Sequence, residues 1–123
     1  MINRQKGQWI WSEELDALIA DPVHHKLLFE NETVRILDTF IPPGSKTEIH
    51  THRWPSTLYV LSWSDFIRYD KDGNTVFDSR NMSPAPAIGT TLRSEPLIPH
   101  AGLLIALQIL GIRIGSERDH RHL

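Results

Sequence analysis

A chain of 123 residues is long enough for one domain with its own core and too short for two ordinary ones. A formal charge of -2, with 23% charged and 40% hydrophobic residues, is ordinary soluble globular usage and offers no basic field for nucleic acid. The absence of cysteine excludes disulfides, thiolate metal sites and cysteine nucleophiles together.

The start, Met1 to Gly7, has no apolar core behind its charges, so no secretory signal is expected and the cytoplasm is the default compartment. Ser12 ahead of Glu13, Glu14 and Asp16 has the pattern of an N-cap with acids in the first turn. It predicts a short helix from Ser12 to Ala20 with Leu15, Leu18 and Ile19 on its apolar face, ended by Asp21-Pro22. His24 and His25 lead into a strand over Lys26–Glu30. Neighbouring residues on a strand face opposite ways, so at most one of this pair can join a metal site, and neither is counted as a ligand.

Thr33 to Ile41 alternates as a half-buried strand, and Pro42-Pro43-Gly44 must turn. The next stretch carries His50 and His52, whose spacing matches the two-residue repeat of a strand and puts both rings on one face. Two such imidazoles form half of a nitrogen-ligand metal site, although the bare spacing is about as often a hydrogen-bonded pair. Ser56 to Trp63 is rich in β-formers. Phe66–Tyr69 and Thr75–Asp78 flank Asp70-Lys71-Asp72-Gly73-Asn74, a hairpin connection.

Residues 81 to 89 read as a loop, and Thr90–Arg93 as a strand. The apolar run from Ala101 to Leu110 is about half the length of a membrane span and is interrupted by Gln108; it reads as a buried strand, continued by Ile112–Ile114, with no membrane role. His100 sits at its start, after a proline turn. Short strands at roughly 8–12-residue spacing, punctuated by glycine and proline, predict an all-β sandwich or barrel. The expected organisation is an N-terminal segment with a short helix (1–25), a β-barrel (26–114) and a polar tail (115–123) that holds His120 and His122.

Gly44, five residues, His50-x-His52 and then Tyr59-Val60-Leu61 are similar to the first cupin motif, and Pro99-His100 to the core of the second. The chain thus resembles the cupin superfamily from about Phe29 to Ile114, in the manner of small single-domain bacterial RmlC-like members. The resemblance implies a double-stranded β-helix, a jelly-roll barrel, with His50, His52 and His100 in the positions of three metal-ligating histidines. The usual glutamate, four residues beyond the second histidine, is replaced by Ser56, and no asparagine follows His100. The site therefore resembles the three-histidine variant used by some cupin oxygenases, or one that has lost its metal.

Glu48, two residues before His50, is a candidate ligand, ligand partner or base, against the simpler reading of a rim charge paired with Lys46 or Arg53. Arg53, Arg68 and Arg93 are candidates for holding an anionic substrate, and Tyr59 for lining its pocket. Three functions stay open: a dioxygenase-like enzyme using one divalent ion (iron, nickel, manganese or zinc) on a small anionic substrate; a non-catalytic binding or sensing cupin; and a metal-free isomerase or epimerase using His52 with Tyr59. A small-molecule ligand, no nucleic-acid or membrane partner and a homodimer are expected.

Overall fold

The computed structural model describes residues 8–81, 85–104 and 109–114, the last stretch as backbone. The expectations for residues 1–7 and for the tail 115–123 lie outside it. Nine strands are described: β1 (His25–Glu30), β2 (Arg35–Ile41), β3 (His50–His52), β4 (Ser56–Val60), β5 (Phe66–Asp70), β6 (Thr75–Asp78), β7 (Thr91–Ser94), β8 (Leu97–Leu104) and β9 (Ile109–Ile114). They form a five-stranded sheet in the order β1-β2-β9-β4-β7 and a four-stranded sheet in the order β3-β8-β5-β6, with every pairing antiparallel. Helix is confined to short pieces, as expected of an all-β chain.

The N-terminal helix is broken where one was predicted. A 3-10 turn over Glu13–Leu15, capped by the Ser12 hydroxyl accepting from the Glu14 amide, gives way at Asp16 to a single turn of α-helix, α1 (Ala17–Ala20). Asp16 is extended at ψ 137, and its carboxylate caps the new turn by accepting from the Leu18 amide. The cap restarts the helix in a new register, so Ala17 is buried and Ile19, expected on the apolar face, is 60% exposed.

Two strand expectations are also corrected. The run from Ala101 is split: β8 ends at Leu104 in one sheet, while β9 pairs with β2 and β4 in the other. Strand β8 begins at Leu97 and carries Pro99 inside it, so His100 lies mid-strand. Between the pairs His50↔His100 and His52↔Leu97, β8 has one residue more than β3. That bulge falls at Ile98-Pro99, where a residue with no N–H to give the ladder is tolerated.

The hairpin between β5 and β6 forms as expected, with Gly73 at φ 89. The Asp70 carboxylate accepts from the Asp72 and Asn74 amides across its turn. Buried polar side chains outnumber buried apolar ones among the described residues; Leu37, Val60 and Leu104 are the larger apolar residues shut off from solvent. The space between the sheets is instead a cavity of about 360 Å³ with histidines in its wall.

Candidate metal and ligand site

Histidines converge on this cavity from both sheets. The ligand-capable nitrogens of His25, His50 and His52 lie within 4.8 Å of one another, and all three residues are buried. His100, buried as well, stands directly opposite His50 on β8, with ring centroids 4.3 Å apart, and 5.6 Å from the ring of His52. His25 closes the group from across the fold: its ring is 4.6 Å from that of His50 and 5.3 Å from that of His52. Setting His25 aside as a ligand candidate is therefore corrected.

Backbone oxygens fix three of the four rings. Nδ1–H of His50 donates to the Glu48 carbonyl (2.7 Å), that of His100 to the Ile98 carbonyl (2.8 Å) and that of His25 to the Asp21 carbonyl (3.0 Å). A carbonyl oxygen can only accept, so each Nδ1 carries the proton and the neutral ring presents its lone pair at Nε2. Fixing the tautomer through the other nitrogen is how proteins aim imidazole at a metal.

Asp21, only 1% exposed, is the anchor beneath His25. Its carboxylate is 3.1 Å from His25 Nδ1 and accepts from His24 Nδ1 at 2.9 and 3.0 Å and from the Glu48 amide at 3.2 Å. Burial pushes its pKa up, but the hydrogen bonds from His25, His24 and Glu48 and the proximity of His25 prevail and hold it at about 2. It stays ionised and locks the chain segment that carries one histidine to the segment that carries two more.

His24 faces away from the cavity and bonds Ser45 Oγ through Nε2 at 3.0 Å. Asp21, His24 and Ser45 thus share the hydrogen-bond order of an acid–imidazole–hydroxyl relay. Ser45 lines neither the histidine cavity nor the small pocket beside Asp16, however, and the Gly44 and Ser45 amides, the nearest candidates for oxyanion donors, are already given to Leu104 and Pro42. This chain of bonds is a brace for Asp21.

The other sequence candidates separate clearly. Arg68 and Arg93 line the cavity; Arg68 lies over Phe77 and Phe66, with its guanidinium carbon 5.4 and 5.8 Å from their ring centres. Arg53 is exposed and stacks on Trp54 outside this cavity, and Tyr59 is 37% exposed and lines none of it. The Glu48 side chain is exposed; its backbone, not its carboxylate, touches the site. Ser56 shares its strand face with Leu58, which lines the cavity, but is itself buried and not among the lining residues, with its hydroxyl donated to the Trp54 carbonyl. Asp21 and Trp63, which adjoins Phe66 on the cavity wall, were not singled out as functional residues. The one sequence signal for Asp21 was its position four residues before His25.

The donor set fits a metal. Four imidazoles with no carboxylate among the described wall residues suit borderline divalent ions such as zinc, iron or nickel better than hard ions that want oxygen. Bonds of about 2.0–2.1 Å to one ion would need the rings to draw closer than their present spread, a matter of side-chain rotation.

Comparison with known proteins agrees on the fold. No protein-family model matches the sequence, and no curated protein matches it. A cupin domain from Bordetella pertussis Tohama I superposes with a TM-score of 0.61 at 14% identity, over 77% of this chain and 92% of that one. A cupin-like protein from Thermotoga maritima MSB8 gives 0.49 at 15% identity, over 75% of this chain and 66% of that one. An RmlC-like cupin with a double-stranded β-helix fold from Methanocaldococcus jannaschii gives 0.49 at 13% identity, over 75% and 79%. The chain therefore shares the fold of that cupin domain.

Proposed function

We propose that the protein binds one divalent metal ion through His25, His50 and His52, with His100 as a further ligand, and that the cavity beside it holds a small anionic molecule. The observation that carries this reading is the convergence of four buried rings, three of them oriented by Nδ1–H given to a backbone carbonyl, the tautomer that puts the lone pair of a neutral imidazole on Nε2. The ion, when bound, supplies positive charge and open coordination positions for polarising or redox chemistry.

The chain's own residues supply the rest. Neutral imidazoles leave the full charge of the ion in place. Arg68 and Arg93 add positive charge to the cavity wall, and Leu58, Leu92 and Phe77 exclude water from it. No carboxylate lines the described wall, so the described residues offer no acidic general base there. That favours either chemistry centred on the ion, as in a dioxygenase-like enzyme, or the binding and sensing reading. The isomerase reading has less support, since Tyr59 is not on the cavity wall with His52.

Metal analysis of protein purified without a histidine tag tests the proposal. About one iron, nickel or zinc ion per chain is expected in wild type, with occupancy falling at least about tenfold in His25→Ala and in His50→Ala. Full occupancy in His25→Ala would return the site to His50, His52 and His100 alone. Stoichiometric iron would favour the oxygenase reading, and an empty wild-type site would sink the metal.

A further inference from the structure

Beyond the histidines, the cavity has a second polar feature. Arg68 is a largely buried guanidinium with no ion pair or hydrogen bond among the described residues. Burial pushes its pKa down, and no carboxylate offsets this. Among the described residues, ring faces are its seat: Phe77 and Phe66 lie beneath it, and Trp63 packs on Phe66 with centroids 5.5 Å apart. The Trp63 indole N–H is itself buried without an acceptor. Among the described residues, this end of the cavity therefore holds positive charge and a donor, and lacks the negative group that buried charge requires.

Its distance from the histidines follows from the register. Arg68 is paired with Gly102 on β8, and Gly102 lies two residues beyond His100 on the same strand face, roughly 7 Å along the strand. A Cβ placed on Gly102 would meet nothing within 4 Å, so the space between the two ends is open. Apart from the histidines and the two arginines, the wall is mostly apolar, with Ile41, Leu58 and Leu92 among its members.

We infer that Arg68 forms a carboxylate subsite, and that the ligand is an amphipathic organic acid whose carboxylate pairs with Arg68 while its apolar body spans Gly102 toward the histidine cluster. The guanidinium fork matches the two oxygens of a carboxylate, and the apolar wall disfavours a fully hydrated inorganic anion. Arg93, exposed at the cavity's edge, adds a second cation without closing the subsite. The inference rests on the cavity being the ligand site proposed above, but it does not need the metal.

The test is calorimetric titration of the full chain, stripped with chelator, with acetate, butyrate and phenylacetate, and with phenylacetamide as the uncharged match. Phenylacetate is expected to bind more tightly than acetate, phenylacetamide not to bind, and equimolar inorganic phosphate not to displace the acid. Arg68→Met is expected to weaken phenylacetate at least about tenfold, and Arg68→Lys, which keeps the charge without the fork, to fall between. Because the replaced charge is buried and unpaired, Arg68→Met should melt no lower than wild type, which separates lost binding from lost folding.

Equal binding of acid and amide, displacement by phosphate, no binding by any acid of the series, unchanged binding in Arg68→Met, or a fold lost in that variant would each overturn the inference. Failure of the metal reading would appear in metal analysis and leave these metal-free titrations as they stand.

Discussion

Asp21 holds a buried negative charge beneath one histidine of the cluster, and its replacement is expected to act through that ring. In Asp21→Asn the amide keeps the shape but loses the charge that His24 and His25 share. Metal affinity is expected to fall about 10–100-fold, read by competition with a chelator, as for other residues that orient metal-binding imidazoles. The same carboxylate gives folding a pH dependence. Its folded pKa of about 2 lies below the ordinary 3.8, so its contribution is complete above about pH 4 and is lost as pH falls toward 2. Urea denaturation between pH 5 and pH 2 should show this slope in wild type and a shallower one in Asp21→Asn. At Ser56, buried on the inward strand face, Ser56→Glu is expected to destabilise the metal-free protein by about 1–3 kcal/mol, the cost of a buried polar group without its partner. Added zinc should then raise its melting temperature more than that of wild type, and equal shifts would show that position 56 does not reach the ion.

At the scale of elements, the β3–β8 pairing does the most for the site. It sets His50 opposite His100, and its bulge absorbs Pro99 in a strand that lies between two neighbours. The hairpin between β5 and β6 is separable from this. Gly73 sits at φ 89 with open space around its absent Cβ, so Gly73→Ala should lose roughly 1–2 kcal/mol of stability from backbone strain alone. Chemical denaturation reads that loss, while metal affinity in the same variant is expected to be unchanged. A shift in both would tie the hairpin to the site.

For the whole molecule, the two sheets enclose a ligand-sized cavity in place of a fully packed core, and of the described apolar residues shut off from solvent only Leu104 lines it. Cohesion comes from strand pairing and from the buried link that Asp21 makes between the N-terminal segment and the Glu48 amide, just ahead of β3. The metal is therefore expected to be dispensable for folding. Chelator-treated protein and His50→Ala should keep a β-sheet circular dichroism spectrum and a cooperative melt at room temperature and above. A chain that unfolds on chelation would make the ion a structural one. Among the described residues no helix is long and apolar enough to cross a membrane.

Local chemistry determined what could be read from the sequence. Alternation, turn residues and the two-residue spacing of His50 and His52 foretell strands, the Gly73 hairpin and a same-face histidine pair, because each depends only on neighbours along the chain. The resemblance to cupins added the barrel and pointed to His100. Tertiary structure alone decided the membership of His25, because it lies in the five-stranded sheet while His50, His52 and His100 lie in the other, and no spacing along the chain encodes contact between sheets. Asp21 was legible as the end of a helix; its burial beneath His25, and the low pKa that follows, needed the Glu48 segment ahead of β3 laid beside it. The same holds for the break in the apolar run after Leu104, where one hydrophobic stretch supplies a strand to each sheet. Hydrophobicity specifies that such a stretch is buried, and only the pairing of the sheets specifies where.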